Sequence, residues 1–234
     1  MITQAFQAIQ GQTQAPLGAP AKLPAIQTGY PGAQTQATIN HWMIQLVDTK
    51  QPDAVNSQNL SGNIITGAAA WSATELSSAP SNALSTLETY NGLWQPSAVV
   101  NTNTPRQATQ VGTAQYGHSA VLYPVTGNAW TNTKLVWTEG EWTIEVVGSN
   151  AKSEEMAAYS IANNLHFQAL PPYPGLMMVY MVAPASSQTM DINALTTLDW
   201  IQGSTVYSVS VSQASTNNPE QAINMANSWA AWRG

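Results

Sequence analysis

Lys134-Leu-Val-Trp-Thr-Glu-Gly-Glu-Trp-Thr-Ile-Glu-Val-Val147 is the stretch from which the fold can be read. Lys134 to Trp137 and Glu141 to Val147 are β-branched and aromatic, the composition of strands. Thr138-Glu139-Gly140 joins them, with glycine free to take the positive φ of a hairpin turn. In the second strand Trp142, Ile144 and Val146 share one face, and Glu141, Thr143 and Glu145 share the other. That alternation predicts a sheet with one wet side. A helix is expected next. Ser153 is placed as its N-cap, Glu154 and Glu155 stand in the first turn where the dipole favours anions, and Ala158, Ile161, Ala162 and Leu165 form an apolar stripe.

The same order recurs downstream. Gly175 to Ala183 reads as a strand, and Leu198 to Trp200 and Thr205 to Val211 as a hairpin around Ile201-Gln202-Gly203. Asn218 then caps a helix with Pro219 in its first turn and Ala222, Ile223, Ala226, Trp229 and Ala230 on its apolar face. Leu135, Trp137 and Gly140 fall on Leu198, Trp200 and Gly203 at one offset of 63, and Ile161-Ala-Asn-Asn-Leu165 falls on Met225-Ala-Asn-Ser-Trp229 at 64. The expected fold is therefore α+β: a mostly antiparallel sheet with helices packed on one side. A β-β-β-α unit is duplicated over about 119–165 and 175–233.

Upstream, Thr38 to Val47 and Asn63 to Trp71 read as strands, Ser81 to Tyr90 as a short helix, and much of 72–115 as a long loop. Residues 1–36 are rich in Gln, Ala, Pro, Gly and Thr with one charge, Lys22, and read as a flexible tether to a single compact domain over 37–234.

The Leu-x-Trp strand, glycine turn, alternating strand and Ala-rich helix ending in Ile161-Ala-Asn-Asn-Leu165 resemble a small extracytoplasmic domain of unknown function. That domain stands at the C-termini of bacterial, mainly Firmicute, lipoproteins and membrane-anchored regulators. The resemblance covers about 134–165 and 197–230. It implies an α+β fold outside the cytoplasm and no catalytic residues.

Only 8 % of the 234 residues are charged, against roughly a quarter in an ordinary soluble protein. Gln, Asn, Ser and Thr supply the polarity, while 44 % of the chain is hydrophobic. The six basic residues are scattered, which excludes a phosphate-tracking stripe and hence an ordinary nucleic-acid binder. No apolar run is long enough to span a membrane. The chain has no cysteine, and Met1 to Gln14 has neither the basic nor the apolar region of a signal peptide. The expectation is a mature extracellular or cell-surface protein whose signal peptide or lipid anchor was removed; the alternative is a cytosolic protein with a disordered N-terminus.

Motifs for chemistry are sparse. His41, His118 and His166 are far apart, and Met177, Met178 and Met181 read as core, so no metal or cofactor is expected. Gly117-His118-Ser119 lacks the glycines of a nucleophile elbow. Glu139, Glu141 and Glu145 lie on one hairpin, and Glu141 and Glu145 read as sharing one solvated sheet face. No catalytic residue is assigned. Trp42, Trp137, Trp142, Trp200 and Trp229 fit core positions. Trp71, Trp94 and Trp130, with Tyr116, are the candidate ligand-binding residues, because rings set among neutral amides suit sugars.

Few carboxylates also mean little to lose on acidification: near pH 2 the net charge reaches only about +9. The functional expectation is a non-enzymatic binding or interaction protein, adapted to an acidic exterior, with an unidentified protein or glycan partner. The alternative is a carbohydrate-binding module or glycan-active accessory protein.

Overall fold

The computed structural model describes residues 1–25, 29–92, 99–100, 106–112, 117–126, 133–182, 192–212 and 217–233. Helix α1 (Ile2–Ile9) and strand β1 (Gly18–Pro20) lead into β2 (Tyr30–Thr38) and β3 (His41–Thr49). The one-turn helix α2 (Leu60–Asn63), β4 (Ile64–Glu75), helix α3 (Ala83–Gly92), β5 (Val99–Val100) and β6 (Arg106–Val111) follow. Then come β7 (His118–Thr126), β8 (Thr133–Glu139), β9 (Trp142–Gly148) and helix α4 (Ala151–Phe167). The chain ends with β10 (Gly175–Val182), β11 (Ile192–Gln202), β12 (Thr205–Val211), helix α5 (Asn218–Asn227) and β13 (Trp229–Ala231).

The fold is α+β, with a large, mostly antiparallel sheet ordered β2-β3-β4-β12-β11-β10-β9-β8-β7; β5 and β6 both pair with β7. Among the described pairs only β9 and β10 run parallel. That pair is joined by α4, the long crossover a parallel connection requires. Both hairpin turns have glycine first, Gly140 at φ +58° and Gly203 at φ +65°, the arrangement of a type II′-like two-residue turn. The first turn is therefore Gly140-Glu141, one residue later than the spacing suggests.

One sheet face carries the main core. Successive register partners across six strands are Trp42, Ala73, Tyr207, Trp200, Gly175 and Trp142. Trp42, Trp200 and Trp142 are buried, and Trp229 lies over the row, 5.4 Å from Trp200 and 5.2 Å from Tyr207. Gly175 is required here by close approach: a Cβ at that position would sit 2.5 Å from Trp142 Cδ2. The inward stripes of α4 (Ala158, Ile161, Ala162, Leu165) and α5 (Ala222, Ile223, Ala226) close this face.

Three expectations are corrected. The helices do not all lie on one side. α3 covers the opposite face, with Leu87 on Val147, Leu176, Met178, Ile201 and Val206. The central strands are thus buried twice, which is why β10 reads Leu-Met-Met-Val without alternation. The helix ends also differ. Asn150, not Ser153, caps α4, its side chain accepting from Lys152 N. Asn217 precedes α5, and Trp229 and Ala230 belong to β13.

Residues 1–36 are not a free tether. Ala5, Phe6 and Ile9 are buried, and Phe6 stacks on Trp232 at 4.3 Å. Trp42 Nε1 donates to Pro16 O (3.1 Å), β1 pairs with β13, and β2 is an edge strand of the large sheet. Ile2, Ala5, Phe6 and Ile9 have helical spacing, and their burial outweighs a coil-like composition. The edge of β2 is itself covered. Asn56, at φ +57°, donates its N–H to Ala33 O and accepts from Thr35 N through its side chain, so these β2 groups are not free to pair with another chain.

Candidate functional site

A cleft of about 550 Å³ opens where the β8–β9 turn meets the connection from α4 to β10. Its walls include Glu139, Glu141, Trp142, Gln168, Pro171 and Tyr173. The type II′-like turn sets the two glutamates at the sheet end. The Leu170-Pro-Pro-Tyr-Pro174 run forms an irregular connection opposite, with a tight turn in which Tyr173 N donates to Pro171 O (2.8 Å), because proline fixes φ and cannot continue a helix. Two bonds tie these walls together: Trp142 Nε1 donates to Pro171 O (2.9 Å), and Gly175 N donates to Glu141 O (3.3 Å).

The polar groups differ in how well they are satisfied. His118 Nε2 lies 2.7 Å from Glu139 Oε2, without the geometry of an aligned hydrogen bond. Gln168 Oε1 is buried with no hydrogen-bond partner among the described residues, although its residue is partly exposed. Glu141 is exposed. Among the described lining residues Tyr173 carries the only hydroxyl, beside the two glutamates and the Gln168 amide.

A second polar group lies under α3. Lys134 Nζ is 2.6 Å from Glu145 Oε1, and Glu145 is 2 % exposed. Burial pushes its carboxyl above the usual range, opposed by the Lys134 charge and hydrogen bond and reinforced by Glu88. The Tyr90 hydroxyl lies 3.1 Å from Thr74 Oγ1, which is 2.8 Å from His41 Nδ1. Burial raises the Tyr90 pKa and lowers that of His41. The reading of Glu141 and Glu145 as one solvated surface is therefore corrected: α3 covers the sheet over Glu145. Among the described residues, no three His, Asp or Glu side chains gather to hold a metal ion.

Of the residues singled out from sequence, Trp71 lies in the core at 1 % exposure, its ring offering no face to a ligand and its N–H without a partner among the described residues. That assignment is corrected: β4 is central in the sheet, between β3 and β12, so an inward-facing ring there is enclosed. Trp94, Trp130 and Tyr116 lie outside the described residues. Sequence reasoning missed Gln168 and Tyr173, for which the proline-rich run after α4 was the available signal. No family model, curated protein or solved structure matches the chain.

Proposed function

We propose that the protein is a non-enzymatic, secreted or cell-surface interaction protein built for an acidic exterior. The observation that carries the reading is the scarcity of charge, with twelve acids and six Lys and Arg in 234 residues, and neutral hydroxyls as partners of the carboxylates. Glu75 accepts from Ser204 Oγ (2.5 Å) and Thr205 Oγ1 (2.7 Å), and buried Glu154 accepts from the Thr133 hydroxyl. Lys134–Glu145 is a charge pair among the described residues. With only six Lys and Arg in the chain, acid has few charge pairs to break, and the neutral Gln, Asn, Ser and Thr side chains keep their hydrogen bonds at any pH.

The individual signs are mixed. Glu145, raised, costs stability at neutral pH, and the cost is relieved as pH falls through its folded pKa. Glu75, lowered by its two hydroxyl donors, contributes stability that is lost as pH falls through its folded pKa. His41, lowered by burial, withholds a proton that the unfolded chain binds below its ordinary pKa, so that contribution is also lost on acidification. The test is thermal unfolding at pH 2.5 and pH 7. The expected outcome is a small shift; a loss above about 15 °C at the acid end would overturn the reading.

The duplication belongs to the same proposal. Supporting it, Thr133↔Gly148 through Glu139↔Trp142 in the first hairpin and Thr196↔Val211 through Gln202↔Thr205 in the second keep one register at offset 63. The units also share strand directions, α4 resting on β8 and β9, and α5 on β11 and β12. The resemblance to the extracytoplasmic domain points to the same compartment.

A further inference from the structure

Building on the interaction reading, we propose that the cleft beside Glu139, Glu141 and Gln168 binds an extended peptide through a lysine or arginine side chain. Among the described residues no cationic side chain lines this cleft, whose lining combines two glutamates with Leu165, Leu170 and Pro172. Among the described residues, Gln168 Oε1 is a buried acceptor with no hydrogen-bond partner, so an incoming donor would satisfy it. An ammonium or guanidinium head brings several N–H donors and no acceptor of its own. Its aliphatic stem fits the leucine and proline wall while the head reaches the glutamates. His118 already serves Glu139, so Glu141 is the exposed carboxylate left for the incoming cation.

The other half of the sheet shows why the partner is an extended chain. After α5, the segment β13 is covered by the extended strand β1, with Trp232 N donating to Leu17 O (2.9 Å). After α4, the segment 168–173 lies beside the first hairpin turn, and among the described residues no strand pairs with it. The chain's own N-terminal segment fills the one place; among the described residues nothing fills the other, which is the cleft.

The test titrates the isotope-labelled full chain at pH 7 with acetylated, amidated Ala-Pro-Ala-Arg-Ala-Pro-Ala. A matched peptide carries citrulline, which keeps the shape and loses the charge. NMR shifts are expected at Gly140, Glu141 and Gln168, saturating with a dissociation constant of about 1 mM or tighter. The citrulline peptide, and the arginine peptide on Glu141→Gln, should each bind about tenfold more weakly. Gln168→Leu should weaken binding without changing the fold. An unsaturable titration, equal binding of the citrulline peptide, or full binding by E141Q overturns the proposal. So does a response to maltohexaose in place of the arginine peptide, which would assign the cleft to glycans. A chain that fails here but keeps its melting temperature at pH 2.5 loses this site and keeps the acid-exterior reading.

Discussion

Gly175→Ala tests the reasoning about the aromatic row most directly. Gly175 lies at the start of β10, outside the positive-φ region, so alanine fits its backbone. The added Cβ would stand 2.5 Å from Trp142 Cδ2, about 1 Å inside ordinary contact. The indole cannot swing away freely: it is 3 % exposed, and its N–H is bound to Pro171 O. Overpacking of this kind costs about 1–3 kcal/mol, and loss of the indole hydrogen bond adds about 1 kcal/mol. Reduced freedom of the unfolded chain returns about 0.4–1 kcal/mol. The net destabilisation is about 1–3.5 kcal/mol, or about 2–14 °C in Tm for a chain of this size. Urea unfolding followed by tryptophan fluorescence reads the free energy, and calorimetry reads the Tm. The decisive arm is the same substitution in a Trp142→Ala background, where the obstructing ring is gone. There Gly175→Ala should be neutral or slightly stabilising. An equal loss in both backgrounds would show that the glycine is needed for something other than room for Trp142, and would refute the reasoning.

Two further outcomes follow. Phe6→Ala should destabilise the whole protein by about 3–4 kcal/mol in urea unfolding, because Phe6 is fully buried and stacked on Trp232; a free tether would give no change. Lys134→Met leaves Glu145 buried without its cation and should cost about 3 kcal/mol at pH 7. Its carboxyl pKa would then rise further, so much of that loss should return by pH 4 as the group takes up its proton; a pH-independent loss would contradict this.

Local pattern carried the hairpins. The alternation of Trp142, Ile144 and Val146, and the glycine at each turn, are properties of neighbouring residues, and the strands form at those places. The same locality accounts for the apolar stripes of α4 and α5. Period-two alternation separates two faces, however, without saying which is wet. Glu145 was read as solvated because nothing within its strand announces that Leu87, far away in sequence, brings a helix over that face. Trp71 was read as exposed for a related reason: the position of β4 inside the sheet is set by its pairing with β12, more than a hundred residues later.

By itself, the sequence determined the fold class, the two hairpin-and-helix units with their matching spacing, and a surface made of neutral polar groups. These are properties of composition and of near neighbours. Only the tertiary structure decided that the N-terminal segment is part of the core, that helices cover both faces of the sheet, and that Glu141 and Gln168 share one cleft. Each depends on contacts between distant parts of the chain, where burial outweighs local propensity. Ile2 to Ile9, at eight residues, is too short to form a stable helix alone. It becomes one because Phe6 packs against the rings of Trp42 and Trp232.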